Sequence, residues 1–409
     1  MPYFLLPDSK TNSAPLPARV SLAWAVLAFA ILLLWQFLTV RYNRDGNWTA
    51  LFCTGQHQRV PPELDPGTYR FPNVAGYDGQ MYRYVAHDPL LRRGYEQYVD
   101  FPEVRYRRIL VPALAFALAG GHSQWIDAAY IAVVGIFVLL GAYWLSRWAW
   151  LHGFHPAWGL AFALTPATLI SMDRMTVDGA LTALTVGFAY FWKTGAPRKI
   201  YLLLVLACLT RETGVLLVGG CCIFELLAKR FTQSLVWATA GLPALAWYLF
   251  VHGHVPALHN RPVLPRWFLT RFVPGLINRM FHPLHYPFPA PVDLLARSLD
   301  VTALAAILCA AIMAIVLLRR RLLGPVSIAA ALFAFMALSL TSVRYWDHCY
   351  GYARVFSPLL VLVALHAMTG KRGTGLWWMA LLPAALVDLR VGLELGSQTL
   401  RIVSGLLGV

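Results

Sequence analysis

The 409-residue chain is 58% hydrophobic and only 13% charged, with a mean hydropathy of +0.57, which excludes an ordinary soluble domain. Its formal charge of +15 would suit nucleic acid, but the basic residues gather in segments between apolar runs. Membrane orientation and lipid headgroups account for them there, so no nucleic-acid partner is expected. The six cysteines lack C-x-x-C spacing and four sit in apolar runs, which argues against thiol redox chemistry or a sulfur-held metal.

The predicted elements begin with an apolar run at 21–40, long enough to cross a hydrocarbon core of about 30 Å as a helix. The segment before it lacks the charged, apolar and small-residue order of a cleaved signal, so the run is expected to be retained. Residues 41–108 follow as the first large extracytoplasmic loop. Within it Gly76 and Gly79 flank Tyr77-Asp78, permitting a tight turn before a helical run at 80–86 that Asp88-Pro89 would stop. Asp78 then stands at a helix N-terminus, either as a capping group or as an ionised general base. Arg105-Tyr106-Arg107-Arg108 ends the loop with guanidiniums that suit a phosphate or else snorkel to headgroups.

Residues 109–121 would span only about 20 Å as a helix, so they are expected to be re-entrant or to lie along the outer interface. Runs at 155–172 and 175–192 pair as two crossings, with Asp173, Arg174 and Asp178 near their junction. Asp173 and Arg174 either pair with each other or face a ligand; Asp178 lies one turn into the following helix. The stretch 199–229 is broken by Arg211-Glu212-Thr213-Gly214 and reads as two short helices meeting on the outer side. A buried Arg211–Glu212 pair is costly to desolvate, so a cation facing an anionic substrate is the competing reading.

Residues 253–298 read as a second large extracytoplasmic loop. His252, His254, His259, His282 and His285 fall in or beside it, but their spacing has no fixed metal-binding geometry. Paired crossings at 302–318 with 322–342, and 353–369 with 374–390, bracket a polar segment carrying Arg344, Asp347, His348 and Arg354. Short basic segments fix the cytoplasmic side: Lys10/Arg19, Arg147, Lys193/Arg198/Lys199, Lys229/Arg230, Arg319 to Arg321 and Lys371/Arg372. The expected fold class is therefore all-α membrane: residues 1–409 form a single transmembrane domain, a polytopic bundle of about eleven transmembrane helices.

With that orientation, Asp78, Asp88, the arginines at 105–108, Asp173, Arg174, Asp178, Arg211, Glu212, Asp347, His348 and Arg354 all fall at the outer face. Ionisable groups at membrane depth are costly and turn toward a cavity or a partner, so one shared polar site is expected. No P-loop, G-x-S-x-G or H-E-x-x-H motif is present, which removes nucleotide hydrolysis of that type, serine-hydrolase and zinc-protease chemistry.

This layout resembles the integral-membrane glycosyltransferases of the C-type fold, which use polyprenyl-phosphate-linked sugars. The similarity runs over roughly residues 20–370 and rests on short patterns. These are Tyr77-Asp78-Gly79-Gln80 with Asp88-Pro89, Arg107-Arg108-Ile109-Leu110-Val111-Pro112, and Thr165-Pro166 before Asp173. Leu209-Thr210-Arg211-Glu212-Thr213-Gly214 and Tyr352-Ala353-Arg354 ahead of Ser357-Pro358 complete them. The resemblance implies a base at Asp78, with Asp88 second, and lipid-phosphate contacts from Arg107, Arg108, Arg211 and Arg354. It further implies substrate contacts from Tyr77, Gln80, Tyr82, Asp173, Arg174, Asp178, Glu212, Asp347 and His348, with Tyr84 sharing a sugar platform. The family's adjacent acidic pair is missing, so a divalent cation such as Mg or Mn stays an open expectation. The implied partners are a polyprenyl-phosphate-linked sugar, a glycan, lipid or protein acceptor, and the bilayer. The arginine-rich composition suggests a bacterial inner membrane with the site facing the periplasm. A transporter or flippase of a lipid-linked or anionic substrate is the alternative; it would use the same arginines without needing Asp78 as a base.

Overall fold

The computed structural model describes residues 17–255, 274–287, 289–320, 324–340, 345–369 and 376–407. Lys10, His259, Arg321, Arg344, Lys371 and Arg372 lie outside the described residues, as does all of 256–273 in the second predicted loop. Helix dominates. In chain order the helices are α1 (Ala18–Asn43), α2 (Asp78–His87), α3 (Pro102–Arg105), α4 (Leu110–Leu118), α5 (Ser123–Leu151), α6 (Pro166–Arg174), α7 (Asp178–Lys193) and α8 (Pro197–Thr210). They continue as α9 (Val215–Leu227), α10 (Phe231–Ala238), α11 (Leu242–His254), α12 (Pro274–Phe281), α13 (Ala290–Arg320), α14 (Pro325–Ser339), α15 (Cys349–Ala367) and α16 (Leu376–Leu407). The strands β1 (Thr54–Gly55) and β2 (Arg70–Phe71) pair in parallel, Thr54 opposite Arg70 and Gly55 opposite Phe71.

Among the described residues, five segments are long and apolar enough to cross a membrane: Ala18–Asn43, Ser123–Leu151, Phe231–His254, Ala290–Leu318 and Cys349–Ala367. Their outward faces carry large apolar side chains that the protein leaves uncovered, among them Leu22, Leu34 and Phe37 on α1, Leu245 on α11 and Ile312 on α13. Such a continuous apolar exterior suits lipid contact. The interior is tightly filled: Trp148, Tyr130, Phe162, Phe188 and Phe333 are all but inaccessible.

Several boundaries differ from the sequence expectation. The run at 155–172 is not one helix: a 3-10 stretch, Pro156–Leu164, ends at Thr165, and α6 starts at Pro166. Proline lacks an N–H and has a helical φ, so it suits a helix start better than an interior. The orphan N–H of Ala167 in that first turn donates to Ser357 Oγ at 2.8 Å, which ties α6 to α15. α13 begins at Ala290 and so takes in the end of the segment read as loop 253–298, while α16 runs on to Leu407, well past residue 390. The run 199–229 is divided where Arg211 to Gly214 suggested: Arg211 is extended, and Gly214 lets the chain pass close to α8. A Cβ on Gly214 would lie 2.1 Å from the Ala207 carbonyl oxygen, so only glycine fits that turn.

Helix order determines where the charged residues meet. α6 leads into α7 through Met175, whose φ of 49° gives the left-handed turn needed between them. Ser171 Oγ accepts from Gly179 N at 2.8 Å and braces the same turn. The C-terminal end of α8, the N-terminal ends of α7, α9 and α15, and the loop helix α2 therefore converge at one end of the bundle, joined by the ion pairs described next.

Candidate active site

Asp78 opens α2, in the first turn and next to the fixed dipole of the helix N-terminus. Its Oδ1 receives Arg105 at 2.8 Å, and its Oδ2 is bound by Arg354 from α15. Arg354 also reaches Asp178 Oδ2 at 3.3 Å, and the Asp178 carboxylate is bound on its other oxygen by Arg211. Arg211 leads on to Glu212 at 3.8 Å. Glu212 takes a two-pronged pair from Arg108, Nε to Oε2 at 2.9 Å and Nη2 to Oε1 at 2.5 Å. Arg108 in turn donates to the Tyr82 hydroxyl at 2.8 Å. Side chains from α2, α3, α7, α15, the α8–α9 break and the start of α4 thus form one chain of alternating charge.

Most of this chain is dry. Asp178 is 1% exposed, Arg211 2% and Arg108 3%, whereas the Glu212 side chain stays 39% exposed and marks where water reaches the network. Burial alone would raise the Asp78 carboxyl, but the attraction of Arg354, and then of Arg105 and Arg108, outweighs it and holds that group far below the usual carboxylate range. Burial would lower both guanidiniums, but Asp78 raises Arg105 and Glu212 raises Arg108 against it. As it stands, Asp78 is ionised but weakly basic, because its negative charge is already shared between guanidiniums. The expected shared polar site is a largely buried network whose charges pair with one another.

A second group lies beyond Tyr77. The Tyr77 ring sits under the Arg354 guanidinium at 4.9 Å and meets the Tyr350 ring edge-on at 6.0 Å. Tyr350 OH donates to Asp173 Oδ2 at 3.0 Å, the same oxygen that Arg174 Nε reaches at 2.9 Å. Gln398 from α16 completes Asp173 with a bond to Oδ1 at 3.2 Å. Asp173 and Arg174 therefore do pair with each other, at the edge of the same site.

The remaining sequence-selected residues have other partners. Asp88 is 3% exposed and accepts the backbone N–H groups of Arg92, Arg93 and Tyr95, so it fixes a turn and has no lone pair aimed at the network. Gln80 is likewise committed, accepting from Gly55 N at 3.1 Å and donating to Ala75 O at 3.3 Å. Tyr82 and Tyr84 are fully buried, which takes both away from a sugar platform; Tyr82 supports Arg108 instead. Arg107 stacks 3.5 Å over the Tyr248 ring, and its Nε is buried without a hydrogen-bond partner among the described residues. Asp347 is bound by Arg279 of α12, and His348 Nδ1 caps α15 by accepting from Tyr350 N at 3.1 Å.

Sequence reading passed over some of the partners. Arg105 was noticed only as part of a basic run, yet it is one of the two arginines holding Asp78. Arg390, fully buried on α16, binds Asp300 at 2.7 Å and Glu394 at 3.0 Å. The signal for it was available: a lone arginine in an apolar helix is a buried partner by default.

For a divalent cation, the donors matter. Asp78, Asp178 and Glu212 each face a guanidinium, so the network offers no free carboxylate pair of the kind Mg or Mn needs. Among the described residues, the His, Cys and acidic side chains gathered closely enough to hold an ion are His348, Cys349 and Glu394, a nitrogen, sulfur and oxygen set softer than either ion prefers.

One glycine determines how Asp78 is presented. A Cβ on Gly79 would lie 2.1 Å from the Arg174 carbonyl oxygen, so α2 docks against the end of α6 only because position 79 lacks a side chain. Replacing Gly79 by Ala is expected to destabilise the fold by about 1–3 kcal/mol through overpacking. Thermal unfolding of the detergent-purified protein measures this; an unchanged midpoint would refute the close docking.

Beside the network lies an apolar groove of about 580 Å³ between α4, α8 and α11, lined in part by Ile109, Ala113, Leu209, Ala246, Trp247 and Phe250. Ile109 directly follows Arg108, and Leu209 precedes Arg211 by two residues. Trp247 Nε1 donates to the Tyr106 carbonyl at 2.7 Å, which holds the basic segment against the groove wall. Comparison with protein-family models, curated proteins and solved structures finds no significant match to the chain.

Proposed function

We propose that the chain is an integral-membrane glycosyltransferase that moves a sugar from a polyprenyl-phosphate donor to an extracytoplasmic acceptor with inversion. The observation that carries this reading is an apolar groove whose wall residues Ile109 and Leu209 are close in the chain to Arg108 and Arg211, and whose Trp247 holds the Arg105–Arg108 segment through Tyr106. A lipid chain in the groove would bring its phosphate to Arg107, Arg108 and Arg211, and the unsatisfied Nε of Arg107 is a donor waiting for such an oxygen.

The chemistry follows from the charge pattern. An anionic donor competes with Asp78 and Asp178 for Arg354 and Arg211. Each guanidinium that turns to the phosphate leaves a carboxylate less neutralised, so donor binding raises the basicity of Asp78. The freed carboxylate then takes the proton of the acceptor hydroxyl as its oxygen attacks the anomeric carbon. The bond from that carbon to the phosphate oxygen breaks on the opposite face, and the polyprenyl phosphate departs with its charge held by arginines. Positive charge from Arg107, Arg108 and Arg211 does the work that a metal ion does elsewhere.

Counted as crossings, α1, α5, the Pro156–Arg174 segment, α7, α8, α9, α10 with α11, α13, α14, α15 and α16 alternate to give about eleven spans. The site end is then extracytoplasmic, in keeping with the basic segments at the opposite helix ends, and in a bacterium it faces the periplasm.

Filling the groove tests the donor. Ala246→Trp is expected to weaken use of a long polyprenyl-phosphate sugar by at least tenfold while leaving a short-chain analogue within about twofold, because only the long chain needs the groove. Transfer measured with both donors in membranes reads this out; equal effects on the two would reject the groove as the lipid site. The broader test is mass spectrometry of cell-envelope glycans and lipid-linked sugars with and without the protein.

A further inference from the structure

The end of the contact chain beyond Tyr77 holds more positive charge than its partners neutralise. Arg44 follows the last turn of α1 and lies 4.5 Å over the Phe71 ring, while Arg174 lies 5.8 Å from the same ring. Pairing of β2 with β1 fixes Phe71 there, and Tyr69 packs edge-on against it at 5.1 Å. Asp173, the carboxylate that acts on Arg44 across the pair, is already taken by Arg174, Tyr350 and Gln398. Arg174 has five N–H donors and, apart from Asp173, spends one on the weak acceptor Cys53 Sγ at 3.1 Å. Arg44 donates to the Asn43 carbonyl at 3.1 Å, and among the described residues no carboxylate pairs with it. Burial, and then repulsion from Arg174, push the Arg44 guanidinium below its ordinary value, whereas Asp173 holds Arg174 above its own, so the unneutralised charge of the pair sits on Arg44.

We propose that Arg44 and Arg174, seated over Phe71, form an anion subsite for the acceptor, so that the hydroxyl-bearing substrate carries a phosphate or carboxylate group. The word acceptor rests on the transferase reading; the anion subsite does not. Its position suits a second substrate. The contacts run from Arg108 through Glu212, Arg211, Asp178 and Arg354 to Asp78, and from Arg354 through Tyr77, Tyr350 and Asp173 to Arg174. The two arms meet at Arg354, which holds Asp78, so the base is tied to the residue that joins a cationic end on the Arg108 side to a cationic end at the loop. An anion between Arg44 and Arg174 also relieves their mutual repulsion and occupies planar donors arranged for bidentate contact.

The test uses the full chain in nanodiscs of phosphatidylcholine, titrated with methyl phosphate by calorimetry at fixed ionic strength. Arg107→Gln serves as background, to remove binding at the groove end. The saturable component that remains is expected to weaken about tenfold in Arg44→Gln and again in Arg174→Gln, each removing one charged partner. A change of threefold or more in Arg44→Gln upholds the subsite; a smaller change, or no saturable component in the background protein, overturns it. Arg174→Gln strips a buried carboxylate of its partner and can misfold, so half-buried Arg44 decides the matter. Adding phosphatidylglycerol separates the sources: loss of methyl phosphate binding identifies a lipid headgroup as the anion, and retained binding identifies a soluble or glycan acceptor. Should the purified protein transfer no sugar, the transferase reading falls while these binding results stand; intact transfer in Asp78→Asn would remove Asp78 as the base and leave them equally untouched.

Discussion

Asp78→Asn is expected to lower sugar transfer by about 10²–10⁴-fold, the usual contribution of a positioned general base. Donor binding should be retained or strengthened, because Arg354 and Arg105 lose their carboxylate and become fully available to phosphate. The substitution also leaves two arginines under-neutralised in a site where Asp78 is only 16% exposed, so loss of activity through misfolding has to be separated from loss of the base. Asp78→Glu makes the separation. It keeps the charge and both arginine partners but moves the oxygens by a methylene, so it should fold like the parent and still transfer poorly. Unchanged transfer in Asp78→Asn would instead reject Asp78 as the base, while a purified parent protein that binds the donor without transferring its sugar would favour the transporter reading, which needs the arginines but no base. The pH dependence has a definite sign. Because the folded-state pKa of Asp78 is depressed, its contribution to stability is complete above about pH 4, the ordinary aspartate range, and is lost only as the pH falls toward the lower folded value. Stability should therefore show no Asp78 transition between about pH 5 and 8, while an acidic limb in the transfer rate would report an Asp78 whose basicity the bound donor has raised.

Much of the arrangement was legible because charge inside apolar sequence is informative. Arg211, Asp178 and Arg354 each interrupt or begin a hydrophobic run, and the desolvation cost of leaving any of them alone implied partners at the same depth. Their partners turned out to be one another. Asp88 misled for a local reason: an aspartate before proline looks the same in sequence whether it stops a helix, ties a turn or faces a ligand, and only the N–H groups of Arg92, Arg93 and Tyr95 decide it. Tyr82 misled because aromatic residues near a charged motif suit both a ligand platform and a packed interior, and its helix face points inward. Helix ends were hidden where polar residues are buried by distant partners. Arg390 stands at the end of the run read as 374–390, and its burial in the interior of α16 rests on Asp300, 90 residues away on α13. The groove was invisible in sequence, since its walls come from α4, α8 and α11 and share no pattern with one another.

The pair Asp178–Arg211 separates a functional network from a merely structural one. Both side chains are 2% exposed, so removing one partner alone strands a charge in the interior. Arg211→Met or Asp178→Leu is each expected to destabilise the protein by about 3–5 kcal/mol, the usual cost of an uncompensated buried ion. Replacing both together removes the stranded charge, and apolar residues of similar volume can restore most of that stability. A purely structural network predicts a double variant that folds and transfers sugar normally. The proposed mechanism predicts a different outcome. The double variant should regain its unfolding midpoint yet remain at least a hundredfold slower, because Arg211 is needed to hold the departing phosphate and Asp178 to position Arg354, losses of the size seen when a transition-state charge loses a preorganised partner. Thermal unfolding and transfer measured on the two single variants and the double variant decide between them: stability that recovers together with activity would reduce the whole charged array to scaffolding, and stability that recovers without activity would assign it to catalysis.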